Sequence, residues 1–191
     1  MTTVKKASCE SVKAPAPRAA KDLAKPKLKL NPAKQYVATV ETSCGSFQIR
    51  LDAKSSPITG GSFLTLAKQG FYDGLSFHRI ASGFVIQGGD PAGDGSGGPG
   101  YTVRERPRAS ATYEQGVVAM AKTGADPPGT SGSQFFVVTG ADAGLPPEYA
   151  ILGKVSSGLD TVMRIEALGQ PGADGPPTRP VVIKSIKIAV S

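Results

Sequence analysis

Between Gln35 and Val190 the apolar residues come in short runs, each cut off by glycine or proline. Gln35 to Glu41 (QYVATVE) alternates apolar with polar, as does Ser46 to Leu51 (SFQIRL). A period of two marks a strand with one buried face, and the short Thr42-Ser43-Cys44-Gly45 between the two predicts a β-hairpin. Further β segments are predicted around Ser76 to Arg79, Phe84 to Gln87, Gly116 to Met120, Phe135 to Val138 and Ala150 to Val155. Val181 to Val190 alternates again as a closing strand. Pro57 suits the first turn of a helix, with Ser55 or Ser56 as its cap. That helix carries Ile58, Phe63, Leu64 and Leu66 toward a core and stops at Gly70. Its Gly60-Gly61 pair is unfavourable, since each glycine costs about 1 kcal/mol against alanine. Leu159 to Leu168 has helical spacing through Val162, Met163 and Ile165. Many short strands, two modest helices and the loops that 24 Gly and 16 Pro provide predict a mainly β, closed antiparallel barrel, since closure removes exposed edges. Pattern alone does not separate a barrel from a sandwich.

Charge divides the chain in two. Residues 1–34 contain nine Lys or Arg against two acids, Glu10 and Asp22, while residues 35–191 contain thirteen of each sign. The net charge of +7 therefore belongs to the N-terminal segment, and the remainder is formally neutral. Nucleic-acid binding by the domain is not expected on this ground. Residues 1–34 are rich in Ala, Pro and Lys, have no aromatic residue, and hold no apolar run of membrane-spanning or signal length. Such a segment reads as a flexible basic arm, with docking on an anionic surface as the functional alternative. No transmembrane segment is expected. A cytoplasmic location is the default, and an extracytoplasmic one follows should an anchor or signal lie upstream. Cys9 and Cys44 allow one disulfide in an oxidising compartment and two thiols in a reducing one. No Cys/His spacing suggests zinc.

The chemistry-bearing stretch is Phe77 to Asp90, FHRIASGFVIQGGD. It combines an arginine, aromatic rings and a glutamine with no obvious nucleophile and no metal-ligand cluster. That set can grip and polarise a ligand without covalent chemistry, so no cofactor or metal is expected. The stretch resembles the signature of the cyclophilins, the peptidyl-prolyl cis-trans isomerases. Gly116 to Ala121 (GVVAMA), Gly132 to Phe136 (GSQFF) and Leu145 to Val155, ending in LGKV, resemble three further blocks of that family in its order. The resemblance covers residues 35 to 190.

The resemblance implies an eight-stranded barrel capped by two helices, with a peptide groove on its outer face. It implies a domain over residues 35–191, acting as a monomer on X-Pro bonds in unfolded or flexible polypeptides. Arg79 matches the family's catalytic arginine. Phe84, Val85 and Phe136 match the proline pocket, with Leu145 on its rim. Gln87 and Gln134 match positions that hold the substrate backbone, and Ala121 lies where the family binds peptide through backbone groups. Phe135 is expected to point away from Phe136, into the core. Valine at 85 stands where the family often has methionine. Tyr149 stands at the position of a histidine in many eukaryotic members, and the chain has no tryptophan. The string LPPEYAILGKV looks like a bacterial subtype. Tyr149 supplies an aromatic wall, and weakened binding of cyclosporin-like ligands is expected.

Other chemistries are poorly served. His78 is the only histidine, so a Ser-His-Asp hydrolase would require it. As a neighbour of Arg79 on a strand it is expected to face the interior. Gly95 to Gly100 fits G-x-G-x-x-G but has Pro99 inside it and lacks a βαβ context. Asp90 and Asp94 read as turn residues.

Overall fold

The computed structural model describes residues 8–19 and 22–191. The hairpin comes first: β1 (Tyr36–Thr42) and β2 (Gly45–Leu51) pair antiparallel from Val37–Arg50 to Thr42–Gly45. Helix α1 (Pro57–Lys68) follows, then β3 (Phe77–Ala81), β4 (Val85–Gly88), β5 (Val103–Arg104) and β6 (Val117–Met120). The chain continues with β7 (Thr130–Ser131), β8 (Phe135–Val138), β9 (Ile151–Ser157), α2 (Leu159–Glu166), β10 (Asp174–Gly175) and β11 (Ile183–Val190). The two-residue strands β5, β7 and β10 carry no alternation and were not expected.

Nine strands form one curled antiparallel sheet in the order β10-β3-β4-β8-β6-β9-β2-β1-β11, and β5 pairs with β7 separately. This corrects the closed eight-stranded barrel. Strand β10 occupies the edge of β3 at Ile80 and Ala81, so only the other end of β3 is left to meet the opposite edge. It does so through one bridge, Ser76 to Val182, and three flanking bonds, Phe77 N–H to Val181 O (3.0 Å), Ile183 N–H to Leu75 O (2.7 Å) and Gly74 N–H to Ile183 O (2.8 Å).

The concave interior holds a core in which Phe63, Tyr72, Phe77 and Phe135 meet edge-on or tilted at centroid distances of 5.1–5.9 Å. A second apolar cluster covers the outer face of the sheet, with Val85, Val117, Ala119, Phe136 and Val138 among its buried members. Strands β6 (VVAM) and β8 (FFVV) are thus buried on both faces, which is why they read as unbroken apolar runs instead of alternating ones. As expected, Phe135 belongs to the interior and Phe136 to the outer cluster.

Helix α1 begins and ends where the sequence says, with Ser56 at the cap position and Gly70 beyond its last turn at φ +66°. Its cap is not Ser56, whose side chain makes no capping bond. The Glu105 carboxylate accepts instead from Ile58 N–H (3.1 Å) and Thr59 N–H (2.8 Å), two of the orphan donors of the first turn. A side chain forty-six residues or more away in sequence satisfies the helix and also favours its positive end. Helix α2 stops at Glu166 and buries Val162 and Ile165, while Leu159 lies half-open to solvent.

The N-terminal segment, expected as a flexible arm, lies along the domain at residues 8–19 and 22–34. Leu30 is buried against α1, and Cys9 is joined to Cys44 by a disulfide. Among the described residues, no helix is long and apolar enough to cross a membrane.

The distant cap gives a test. Glu105→Ala is expected to lower stability by about 1–2 kcal/mol in urea unfolding. Ser56→Ala should stay within about 0.5 kcal/mol, because it removes no capping bond.

Candidate active site

The site is built on the outer face of β3, β4 and β8. Phe77 pairs with Gly88, but Arg79 pairs with Gln87, so two residues of β3 are spent against one of β4. His78 is the extra residue of a β-bulge. Without it Arg79 would fall on the same face as Phe77, which is fully buried in the interior. The bulge turns Arg79 outward and puts it in register with Gln87, which is itself opposite Phe136 of β8. Arg79, Gln87 and Phe136 therefore stand side by side across three strands.

Arg79 is half-buried and held from two sides. Nε and Nη2 donate to the two carboxylate oxygens of Asp174 at 2.6 and 2.7 Å, and Nη1 donates to Gln87 Oε1 at 2.8 Å. A guanidinium has five N–H groups. Two remain without a protein partner among the described residues. Gln87 Nε2 donates to Gln134 Oε1 (2.9 Å), and Gln134 Nε2 donates to Gly95 O (2.8 Å) and Gly97 O (2.9 Å). The chain of bonds runs from Asp174 through three side chains into the glycine-rich loop. That loop is organised by the buried Asp90, whose carboxylate accepts from Ala92 N–H (2.8 Å), Asp94 N–H (3.0 Å) and Gly95 N–H (2.5 Å). Asp90 and Asp94 act as turn residues here, since Asp94 in turn accepts from Ser96 N–H and Oγ–H, which lower its pKa.

Beside this polar line lies an apolar slot. Phe136 and Val85 are its buried floor, and Phe84, Ala121, Leu145 and Tyr149 are partly buried against them. The ring of Tyr149 meets Phe136 edge-on at 5.6 Å and is met edge-on by Tyr113 at 6.1 Å. Tyr113 fixes the Tyr149 backbone at both ends: its hydroxyl donates to Tyr149 O (2.7 Å) and accepts from Tyr149 N–H (3.0 Å). Lys122, whose side chain is only 4% exposed, pairs with Glu148 at 3.2 Å and lies 5.3 Å from the centre of the Tyr149 ring. A cleft of about 530 Å³ with a mixed polar and apolar lining is bounded by Gln87, Gln134, residues 95–102 and parts of residues 121–133. All nine residues singled out from the sequence thus fall on one face, as a polar line of Arg79, Gln87 and Gln134 and an apolar slot of the other six.

Phe77 takes an interior position, and His78 sits in the bulge with both ring nitrogens buried and neither hydrogen-bonded to another side chain. Burial lowers its pKa, and Asp90 opposes that shift. No serine or carboxylate bonds it among the described residues, so a hydrolytic triad has no geometry.

Sequence reasoning missed Asp174, Tyr113 and the Lys122–Glu148 pair. Asp174 sits in a Gly/Pro-rich string, GADGPP, where an acid reads as one more turn residue. Only the pairing of β10 with Ile80 and Ala81 of β3 brings it to Arg79.

An outward arginine, an amide relay and an apolar cluster thus share the outer face of a curled β-sheet. A family model described as "Cyclophilin type peptidyl-prolyl cis-trans isomerase/CLD" matches residues 37–188, and the chain belongs to that family. It is 46% identical over 114 residues to peptidyl-prolyl cis-trans isomerase B of Bacillus subtilis, covering 59% of this chain and 78% of that protein. It is 37% identical over 178 residues to peptidyl-prolyl cis-trans isomerase A of Mycobacterium tuberculosis, covering 83% and 95%. The crystal structure of a cyclophilin type peptidyl-prolyl cis-trans isomerase from Cryptosporidium parvum superposes with a TM-score of 0.74 at 32% identity, covering 81% and 98%. The same protein in the presence of the dipeptide Ala-Pro gives 0.73 at 31% identity, covering 80% and 98%.

The Arg79–Asp174 pair sets a pH expectation. The Arg79 guanidinium bonds the ionised form of Asp174 and holds its pKa below the usual aspartate value, while Asp174 raises that of Arg79. A carboxylate with a depressed folded-state pKa stabilises above its unfolded value of about 3.9 and stops doing so as pH falls through the folded one. The pair is therefore intact at neutral pH and opens as pH falls below the usual aspartate range. Asp174→Asn is expected to remove the acid-dependent change in the Arg79 Nε NMR signal. The same substitution should lower kcat/KM for an X-Pro peptide by about fivefold at pH 7.

Proposed function

We propose that this chain accelerates cis-trans rotation about X-Pro bonds in unfolded or flexible polypeptides and so assists folding. Residues 35–191 carry the activity, with no cofactor and no covalent intermediate. The observation that carries the reading is the guanidinium of Arg79, anchored by Asp174 and Gln87, with two N–H groups still unclaimed beside an apolar slot.

The barrier to prolyl rotation, about 20 kcal/mol, comes from amide resonance. Halfway through the turn the imide nitrogen recovers its lone pair and becomes a good hydrogen-bond acceptor. A fixed cationic donor beside it stabilises the twisted state more than either planar state, which is what lowers a barrier. Arg79 is the donor. The proline ring lies on Phe136 and Val85 between Phe84, Leu145 and Tyr149. Gln87 and Gln134 bind the flanking backbone. Ala121 donates its N–H to Gln134 O at 2.9 Å, so its carbonyl is the group it offers a peptide. Asp174 and Gln87 spend the guanidinium's other donors on fixing its plane, so the donor needs no reorganisation as charge develops.

Val85 makes a shallower floor than the methionine common in the family. Gly144 and Tyr149 leave the rim without the indole that many members have. A large cyclic ligand loses contact area there, whereas a small proline ring does not. The chain acts as a monomer. Of the two compartments open to it, the Cys9–Cys44 disulfide favours the oxidising one.

Arg79→Ala is expected to lower the catalysed exchange rate of a short X-Pro peptide by about 10²- to 10³-fold, with affinity for the peptide mostly kept. NMR exchange spectroscopy measures both. A folded wild type that binds the peptide without accelerating exchange would make this a holdase for proline segments instead. Cyclosporin is expected to inhibit well above the nanomolar range, and an inhibition titration in the same assay checks it.

A further inference from the structure

Residues 9–19 and 22–30 touch the domain at four separated points along their length. Glu10 N–H donates to Ser43 O (2.7 Å), beside the disulfide, and the Glu10 carboxylate pairs with Lys184 at 2.7 Å. Arg18 N–H donates to Pro91 O (2.8 Å), and its guanidinium Nη2 donates to Phe71 O (2.8 Å). Leu23 N–H donates to Pro99 O (3.0 Å). Leu30 N–H donates to Pro57 O (3.0 Å), and the Leu30 side chain is 3% exposed.

The domain is shaped to receive this strap. A Cβ at Gly60 would collide with the Leu30 side chain, and one at Gly61 would collide with the Leu28 carbonyl. Two glycines side by side in a helix cost about 2 kcal/mol of helix propensity. Close approach of the strap's backbone is what they provide in return. Pro91 and Pro99, the residues the strap grips, flank the loop whose Gly95 and Gly97 carbonyls hold Gln134. The strap thus braces from behind the loop that fixes the amide relay in front, and the disulfide is its covalent anchor.

We propose that residues 9–19 and 22–30 are a positioning element of the peptide groove, locked by the Cys9–Cys44 disulfide, and that reduction of this disulfide loosens residues 91–99 and weakens the isomerase. This rests on the isomerase reading for its catalytic consequence but not for its structural one. A dithiol supplies two electrons and two protons. The S–S bond breaks, Cys9 and Cys44 become thiols, and the dithiol closes to its own disulfide. The strap then keeps its hydrogen bonds, the exposed Glu10–Lys184 pair and the packing of Leu23 and Leu30, and local opening becomes easier. Activity is thereby tied to an oxidising environment.

The experiment compares the full-length oxidised protein, the same protein reduced with dithiothreitol, and Cys9→Ser. Thiol alkylation and mass measurement verify the redox state. Hydrogen exchange is read at the amides of Arg18, Leu23, Asp94 and Gly95, and X-Pro exchange in parallel. Reduction is expected to raise exchange at these amides by at least about tenfold while the β1–β2 ladder stays protected. It should also lower kcat/KM by about fivefold, chiefly through KM. Cys9→Ser should behave as the reduced form and ignore dithiothreitol. Unchanged exchange at Asp94 and Gly95 in fully reduced protein overturns the brace. Loosened amides with an unchanged KM overturn its link to the groove. An oxidised wild type that is folded but catalytically silent refutes the isomerase reading, and the exchange data then judge the brace alone.

Discussion

One extra residue in β3 decides what this sheet can do. His78 opposes nothing in β4, and because of that Phe77 and Arg79, two apart, point to opposite faces. A regular strand would have buried the guanidinium beside Phe135 and left the outer face without a cation. Burying an unpaired charge costs several kcal/mol, so the bulge is a condition for the fold as much as for the chemistry. Everything else in the polar line follows from the register it sets. Arg79 meets Gln87, Gln87 is opposite Phe136, and β10 can pair with the far end of β3 and deliver Asp174.

The arrangement separates two tasks that usually compete. The interior cluster stabilises the sheet through Phe63, Tyr72, Phe77 and Phe135. The outer cluster, centred on Phe136, stays partly open, with Phe84, Ala121, Leu145 and Tyr149 only partly buried. Residues 135–138 serve both, Phe135 and Val137 on one face and Phe136 and Val138 on the other. The partly open side is stiffened by polar contacts made at its margin: Tyr113 on the Tyr149 backbone, Lys122 on Glu148, Asp90 on the loop amides. Pre-organisation is concentrated where no dense core could supply it.

The same economy explains the glycines of α1. Judged from propensity they are defects, and in the structure they are a landing for the N-terminal strap. The basic composition of residues 1–34 suggested a solvated arm, because it contains too little apolar surface to fold alone. In the structure its described residues lie against the domain. It borrows the domain's surface, buries Leu30 and Cys9, and satisfies its amides on the carbonyls of Ser43, Pro57, Pro91 and Pro99.

The sequence by itself determined the elements whose signal is local. The β1–β2 hairpin, the span of α1, the outward Phe136 against the inward Phe135, and the family to which the chain belongs were all legible, because alternation, punctuation and a dense motif are carried by neighbouring residues. Only the tertiary structure decided what depends on pairing between distant segments. Glu105 caps a helix that begins at Pro57, Asp174 anchors Arg79 through a strand of two residues, and Cys9 finds Cys44. The same holds for the curled nine-stranded sheet in place of a closed barrel, since β10 claims an edge that the pattern left free. Such partners leave no trace in local periodicity. Their energy exists only once the chain has brought them together, and a turn-rich string such as GADGPP reads the same whether its acid faces water or a guanidinium.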